Sequence, residues 1–259
     1  MTDLTWIIIF SLLGGVLSVI AASVFLLIPR QIQDRLLPHF VSFAIGALLS
    51  AAFLALLPHA AEVKGVDFHD IGLTVLLGML GFFLLEKMVL WRHCHAHDCE
   101  AHAPTPEHNH QQAAGTLVLI GDGLHNFVDG VLIAAAFMTD FDLGVVTALA
   151  VAAHEIPQEV GDFAILLSSG YSRAKALVFN VLASLTTVVG AVVAYFSLSS
   201  AQHILPYVLA VAASSFIYIA VADLIPGLHK NLHISATIQQ VVLILLGITT
   251  IYWAHSSLH

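Results

Sequence analysis

The sequence is dominated by long apolar stretches that are almost free of charged residues. A helix needs about 20 such residues to cross the ~30 Å hydrocarbon core of a bilayer, because every backbone amide must be bonded inside the segment. Eight stretches meet this requirement, at approximately 5–28, 39–58, 70–91, 116–138, 143–167, 174–197, 204–225 and 236–255. Only 10% of the residues are charged and 59% are hydrophobic. The sequence therefore predicts an all-α, polytopic membrane protein with eight transmembrane helices in one domain, residues 1–259.

The basic residues predict how these helices are oriented, because Lys and Arg concentrate in cytoplasmic loops. With the N-terminus outside, Lys64 is the only one of the eight basic residues on the external side. The others all lie inside: Arg30, Arg35, Lys87, Arg92, Arg173, Lys175 and Lys230. The start, "MTDLTW", lacks the basic region of a signal peptide, so the first segment is expected to be retained as a spanning helix. We therefore expect a multi-pass protein of the inner or plasma membrane, with both termini outside.

The segment 92–115 is rich in histidine and is expected to form a cytoplasmic loop. Imidazole and thiolate groups suit zinc and similar ions, so the loop is interpreted as a metal-capture segment. Its candidate ligands are His93, Cys94, His95, His97, Cys99, His102, His108 and His110. The two cysteines lie together in this stretch and give little support for a disulfide framework. A solvated linker without metal is the alternative interpretation.

The fourth segment contains "GDGLHNFVDG", in which four polar residues share one helix face. Asp122, His125, Asn126 and Asp129 are spaced i, i+3, i+4 and i+7, which places them on a single stripe. The fifth segment contains "HEIPQEVGD", and its polar side chains are His154, Glu155, Gln158, Glu159 and Asp162. Pro157 cannot donate an amide to Ala153, so a kink that releases a backbone oxygen beside His154 is expected.

Burying these carboxylates is costly, because an acid at the bilayer centre costs ~2.5 to 3.5 kcal/mol even on the lenient insertion scale. No Lys or Arg occurs in the fourth or fifth segment to neutralise them. The remaining explanations are protonation, as in a proton relay, or a bound cation. Histidine nitrogens with amide and carboxylate oxygens suit divalent zinc, iron, manganese or cadmium. A hydrogen-bonded set of polar residues that only joins helices is the structural alternative.

Two other features of the sequence bear on function. "HEIPQ" approaches the H-E-x-x-H motif of zinc hydrolases, but Gln158 replaces the second histidine, which argues against an intramembrane hydrolase. "ALLP" (55–58) and "DLIP" (223–226) end the second and seventh segments, which run in opposite directions. Halves of inverted orientation are a common transporter architecture.

These motifs resemble those of the ZIP (Zrt/Irt-like) metal transporters. The histidine-rich branch of that family has a fifth helix that reads HE-x-P-H-E-x-G-D, to which "HEIPQEVGD" corresponds. "HNFVDG" in the fourth segment, "FNVLASLTTVVGA" in the sixth and "YIAVADLIPGL" in the seventh extend the similarity over nearly the whole chain. The resemblance implies a transporter, not an enzyme, that brings zinc or a related ion into the cytoplasm without ATP.

The resemblance also implies a site between the fourth and fifth helices. His125, Asp129, His154 and Gln158 would form the primary site, and Asn126 and Glu155 would join Asp129 in an adjacent one. The exit would pass Asp122, Glu159 and Asp162, with Asn180 and Asp223 as supporting candidates. The family's second histidine is Gln158 here, and a frequent ligand position in the second helix is Ala55. Zinc is the expected substrate. The amide oxygen of Gln158 is a weaker donor than imidazole, which favours a broader metal selectivity that includes Cd²⁺, Fe²⁺ or Mn²⁺.

The implied partners are divalent metal ions and membrane lipid, with a homodimer left open. The net charge of −9 argues against nucleic acid. A metal sensor that does not transport, and transport in the export direction, are the other readings to be separated by experiment.

Overall fold

The computed structural model describes residues 3–94, 107–229 and 233–258, and all regular structure in these ranges is helical. We number the eight long helical segments of the described residues in chain order. They are α1 Asp3–Phe25, α2 Arg30–Glu62, α3 Phe68–Cys94, α4 Glu107–Thr139, α5 Phe141–Ser168, α6 Arg173–Ser199, α7 Gln202–Leu228 and α8 Ile234–Leu258. Helices α3 and α4 thus extend into the range 92–115, which the sequence analysis treats as a loop.

Seven of these segments are long and apolar enough to cross a membrane, and among the described residues α5 is the exception. Polar residues from His154 to Asp162 lower its hydropathy, although its 28 residues are sufficient in length. The predicted all-α polytopic fold is confirmed, and the count of eight spans remains a prediction.

Helix α5 lies at the centre of the bundle. It contacts α1, α2, α4, α6 and α8, and 14 of its 28 residues are buried. The Asp140 side chain begins the helix by accepting hydrogen bonds from the amides of Asp142 and Leu143, which satisfies two amides of the first turn. The helix is continuous through Pro157. The burial of α5 by neighbouring helices brings its polar face against protein and not against lipid.

Helices α4 and α6 cross at a pair of glycines. A Cβ atom on Gly130 would lie 1.8 Å from the carbonyl oxygen of Thr187, and one on Gly190 would lie 2.0 Å from that of Phe127. No side chain fits at either position, so the two backbones are in direct contact. Small residues allow such close approach between helices in membranes. The crossing fixes the height of α6 relative to the polar stripe on α4.

Helices α2 and α8 form an analogous crossing. A Cβ atom added to Gly46 would lie 2.0 Å from the carbonyl oxygen of Ile244, and one added to Gly247 would lie 2.3 Å from that of Phe43. The bundle is thus built around two glycine-mediated pairs, α4 with α6 and α2 with α8.

Helices α2 and α7 each widen into a π-helical segment just before a proline. These segments are Ala51–Leu56 and Ile219–Leu224, and Pro58 and Pro226 follow closely. In each case the residue before the proline donates its amide to the carbonyl five residues back. The wider turn accommodates a residue that has no amide hydrogen and crowds the preceding turn. The pair coincides with the "ALLP" and "DLIP" sequences, and each π segment packs against the other helix.

Candidate metal centre

The polar stripe of α4 is buried along most of its length. Asn126 and Asp129 are inaccessible to solvent, and Asp122 is nearly so. The side chain of His125 retains 23% of its exposure. The helical spacing of these four residues places them on the side of α4 that faces α5 and α6.

The side chains of α5 meet this stripe from the opposite side. His154, Glu155 and Glu159 are all buried. His154 Nδ1 lies 3.1 Å from the carbonyl oxygen of Ala150, one turn earlier in the helix. A carbonyl only accepts, so Nδ1 carries a hydrogen, and in the neutral ring Nε2 presents a lone pair. Histidines that bind metals are commonly oriented by such a bond on the second nitrogen.

Four side-chain atoms converge between the two helices. His125 Nε2 lies 3.2 Å from His154 Nε2, 3.6 Å from Asp129 Oδ2 and 3.4 Å from Glu155 Oε1. His154 Nε2 lies 3.2 Å from the same Asp129 oxygen and 3.7 Å from the same Glu155 oxygen. We call these four residues the upper cluster.

The separations in the upper cluster match the coordination shell of a small dication. Five of the six separations between these atoms lie between 3.2 and 3.7 Å, as expected for donor atoms that share one small ion. An ion at the centre of a tetrahedron with edges of ~3.4 Å would lie ~2.1 Å from each corner, the usual Zn–N and Zn–O distance. The Nε2 atoms of His125 and His154 lie 3.2 Å apart. Such a short separation indicates that a proton or a cation lies between them.

Apart from their close approach to His125 and His154, the carboxylates of the upper cluster have no polar partner among the described residues. Both oxygens of Asp129 and both of Glu155 are buried, and none of them makes a hydrogen bond of regular geometry in this part of the chain. Neither α4 nor α5 contains Lys or Arg. Unpaired acids in a dry interior are costly. The donor set therefore suits a cation.

A second group of acids lies beside the first. Asp122, Glu155 and Glu159 each offer an oxygen within 4.8 Å of the others, and all three are buried. We call these residues the lower cluster; Glu155 belongs to both clusters. The Oδ2 atom of Asp122 and both oxygens of Glu159 have no hydrogen-bond partner among the described residues.

Asn126, predicted as a metal ligand, makes three hydrogen bonds to protein groups. Its Nδ2 donates to Asp122 Oδ1 at 2.8 Å and to the Asp122 carbonyl oxygen at 3.2 Å. Its Oδ1 accepts a hydrogen bond from Thr187 Oγ1 of α6 at 2.7 Å. The oxygen that a metal would need is thus engaged by a hydroxyl group.

The other predicted residues are distributed around the two clusters. Gln158 and Asp162 are half-buried on α5, and Asp223 of α7 is exposed. Asp223 lies within electrostatic range of His125 and His154. Asn180 of α6 is buried, and neither amide atom has a partner in the described part of the chain.

The predicted loop ligands divide into two groups. His93 and Cys94 belong to the end of α3, and His108 and His110 to the start of α4, as backbone positions. His95, His97, Cys99 and His102 lie outside the described residues.

Two residues that sequence reasoning did not single out interact near this region. Thr187 bonds to Asn126, and its seven-residue spacing from Asn180 was the available signal, because it places both on one face of α6. Glu86 of α3 accepts a hydrogen bond from the Tyr218 hydroxyl of α7. No spacing within either helix predicts that contact.

Comparison with known proteins gives a consistent result. The family model described as ZIP zinc transporter matches residues 3–114 and 91–253. A protein named zinc transporter ZIP13 from Pongo abelii is 33% identical over 267 residues, which cover 94% of this chain and 76% of the relative. The protein of the same name from Gallus gallus is 31% identical, covering 83% of this chain and 73% of the relative. Zinc transporter zipt-7.2 of Caenorhabditis elegans is 31% identical, covering 93% and 64%.

A bundle of apolar helices with buried histidines and acids gathered at its centre defines a membrane protein that handles metal ions. The chain belongs to the ZIP family. Members of this family are divalent-metal transporters and not enzymes, so the predicted family and the predicted class of function are confirmed.

Proposed function

We propose that this protein carries divalent metal ions, zinc foremost, into the cytoplasm through the upper cluster. The observation that supports the proposal most directly is the convergence of His125 Nε2, His154 Nε2, Asp129 Oδ2 and Glu155 Oε1, with five of their separations between 3.2 and 3.7 Å. In this proposal Glu155 is a ligand of the primary site, and Gln158 lies one helical turn below His154. Cd²⁺, Fe²⁺ and Mn²⁺ are candidate alternative substrates, because the donor set contains oxygen as well as nitrogen.

The lower cluster is proposed as the next cation-binding site on the transport path. Glu155 is common to both clusters, so an ion can pass between them without losing contact with that carboxylate. Exposure increases from the lower cluster to Asp162 and Asp223. In the opposite direction along α4, the residues from Ile133 to Ala136 are fully buried. This gradient supports a path open on the Asp162 side, which the distribution of basic residues assigns to the cytoplasm.

The driving force in this proposal is the metal gradient together with the membrane potential. A potential of 100 mV is worth ~2.3 kcal/mol for each charge moved across the membrane. An inside-negative potential therefore favours entry of a dication. The histidine-rich segment 92–115 would receive the ion in the cytoplasm. The proposed setting is the inner or plasma membrane, with both termini outside.

Metal uptake into proteoliposomes tests the proposal. Wild-type protein should take up zinc, and His154→Ala should lose transport, because it removes one corner of the upper cluster. His39→Ala is a matched control: the Nδ1 of His39 also lies close to a carbonyl oxygen one turn earlier, that of Arg35 at 2.7 Å, but His39 lies outside both clusters. The control should transport as the wild type does.

Three results would count against the proposal. Zinc binding without flux in sealed vesicles would indicate a sensor. Equal flux in wild type and His154→Ala would remove the upper cluster from the pathway. Protection of zinc-stressed cells, in place of rescue of zinc-starved cells, would reverse the proposed direction.

A further inference from the structure

The buried face of α6 directs one hydroxyl group at the polar stripe of α4. Thr187 is inaccessible to solvent, and its Oγ1 donates to Asn126 Oδ1 at 2.7 Å. Both clusters consist of residues from α4 and α5. Among the hydrogen bonds of the described residues, the one to Asn126 is what connects Thr187 to the candidate metal centre.

The orientation of the Asn126 amide follows from its partners. Its Nδ2 lies 3.2 Å from the backbone carbonyl oxygen of Asp122. Because a backbone carbonyl can only accept, the amino group of Asn126 must face Asp122, and its oxygen must face Thr187. The hydroxyl of Thr187 is then the donor. A directed chain of hydrogen bonds runs from Thr187 to Asn126 and on to Asp122.

This chain determines which oxygen of Asp122 is available to the lower cluster. Asn126 occupies Oδ1 at 2.8 Å. The other oxygen, Oδ2, is buried and has no hydrogen-bond partner in the described residues. Asp122 is thereby held with Oδ1 bonded and Oδ2 without a hydrogen bond, and one of its oxygens lies within 4.8 Å of oxygens of Glu155 and Glu159.

Glycines on two neighbouring helices make room for this hydroxyl. Gly130 of α4 contacts the carbonyl oxygen of Thr187, where an added Cβ would lie at 1.8 Å. Gly15 separates the two halves of α1, and an added Cβ there would lie 3.0 Å from Thr187 Oγ1. Three helices therefore meet at Thr187, and any side chain at either glycine would displace it.

We propose that Thr187 is a positioning residue for the lower cluster and that Asn126 transmits its effect to Asp122. The inference rests on the proposed role of the lower cluster as a cation site. Loss of an outer partner of a ligand typically lowers metal affinity about 10- to 100-fold. Thr187 thus sets the affinity for the second ion and leaves the upper cluster unchanged.

Zinc binding to the purified full-length protein, measured by titration calorimetry with Zn²⁺ alone, tests the proposal. Thr187→Val keeps the shape of the side chain and removes the donor. It should weaken the second binding event about tenfold or more and leave the first unchanged. Thr187→Ser retains the hydroxyl and should restore wild-type binding. If the valine variant does not fold, Thr187→Ala removes the same donor and decides the question.

The adjacent threonine provides the control. Thr186 Oγ1 also bonds across to α4, at 2.6 Å from the carbonyl oxygen of Gly123, but it touches neither cluster. Thr186→Val should bind both ions as the wild type does. In an Asp122→Asn background, Thr187→Val should cause no further loss, because its effect passes through Asp122.

Several outcomes would overturn the inference. Wild-type binding by Thr187→Val, failure of serine to rescue, or an equal loss in Thr186→Val would each contradict it. The proposed function is judged separately, on the wild type alone: absence of a second binding event there removes the lower cluster as a cation site, and absence of zinc uptake removes transport.

Discussion

His154 is prepared for a metal by a bond on the far side of its ring. With Nδ1 donating to the Ala150 carbonyl, Nε2 carries a lone pair and the ring is fixed in orientation. Asp129 Oδ2 and His125 Nε2 both lie 3.2 Å from that nitrogen. The upper cluster therefore needs little rearrangement to accept an ion, which reduces the entropy lost on binding.

We expect the side chain at position 158 to influence the metal selectivity of transport. Gln158→His adds an imidazole one turn from His154, and imidazole favours zinc over manganese. Zinc uptake measured in competition with manganese should rise in this variant. Gln158→Glu adds a harder oxygen donor at the same position and should shift the competition toward manganese. A change in the same direction in both variants would mean that Gln158 does not face the ion.

The helical spacing in the sequence predicts which residues share a face, but not how each side chain is oriented. Asp122, His125, Asn126 and Asp129 follow from positions along one helix. The orientation of Asn126 depends on Thr187, 61 residues away in the sequence. Spacing within a single helix contains no information about such a partner.

At the scale of the helices, the glycine crossing of α4 and α6 fixes the position of the polar stripe of α4 relative to α6. Gly130 and Gly190 each contact a backbone carbonyl of the other helix. Hydropathy locates the spans because it depends only on residues near one another in the sequence. Which glycines meet depends on the partner helix, so the sequence did not predict the crossings. The widening of α2 and α7 has a local signal, because in each case a proline follows the π-helical segment.

The crossing predicts a specific loss of stability in Gly190→Ala. The added Cβ would lie 2.0 Å from the carbonyl oxygen of Phe127, and relieving that overlap should cost ~1 to 3 kcal/mol. Thermal unfolding in detergent should show a lower midpoint. Gly123→Ala is the control, because its nearest new neighbour is Thr186 Cγ2 at 3.9 Å. Equal thermal unfolding midpoints for Gly190→Ala and Gly123→Ala would contradict direct backbone contact between α4 and α6.

At the scale of the whole molecule, apolar helices surround one polar helix. Seven segments of the described residues could cross a membrane by hydropathy, and α5 enters the bundle in contact with five of them. The polar side chains that lower the hydropathy of α5 include its three cluster residues, His154, Glu155 and Glu159. The free-energy cost of burying these polar side chains is thus concentrated at the two clusters, where a bound cation would offset it.

Deleting the segment 95–106 should leave transport intact. Both clusters belong to α4 and α5, and none of their residues lies in that segment. Zinc uptake into proteoliposomes should retain its dependence on His154 in the deletion variant, although uptake into cells at low zinc could fall through loss of capture. Complete loss of uptake by correctly folded deletion protein would show that the segment is part of the pathway itself.

The glycine crossing limits how an ion can be released. Because the backbones of α4 and α6 are in direct contact, we expect these two helices to move together, whereas the upper cluster takes two residues from α4 and two from α5. If the cluster binds an ion, its release would then require movement of α5 relative to α4. We expect a covalent cross-link between α4 and α5 to retain the ion, and one between α4 and α6 to leave release unchanged.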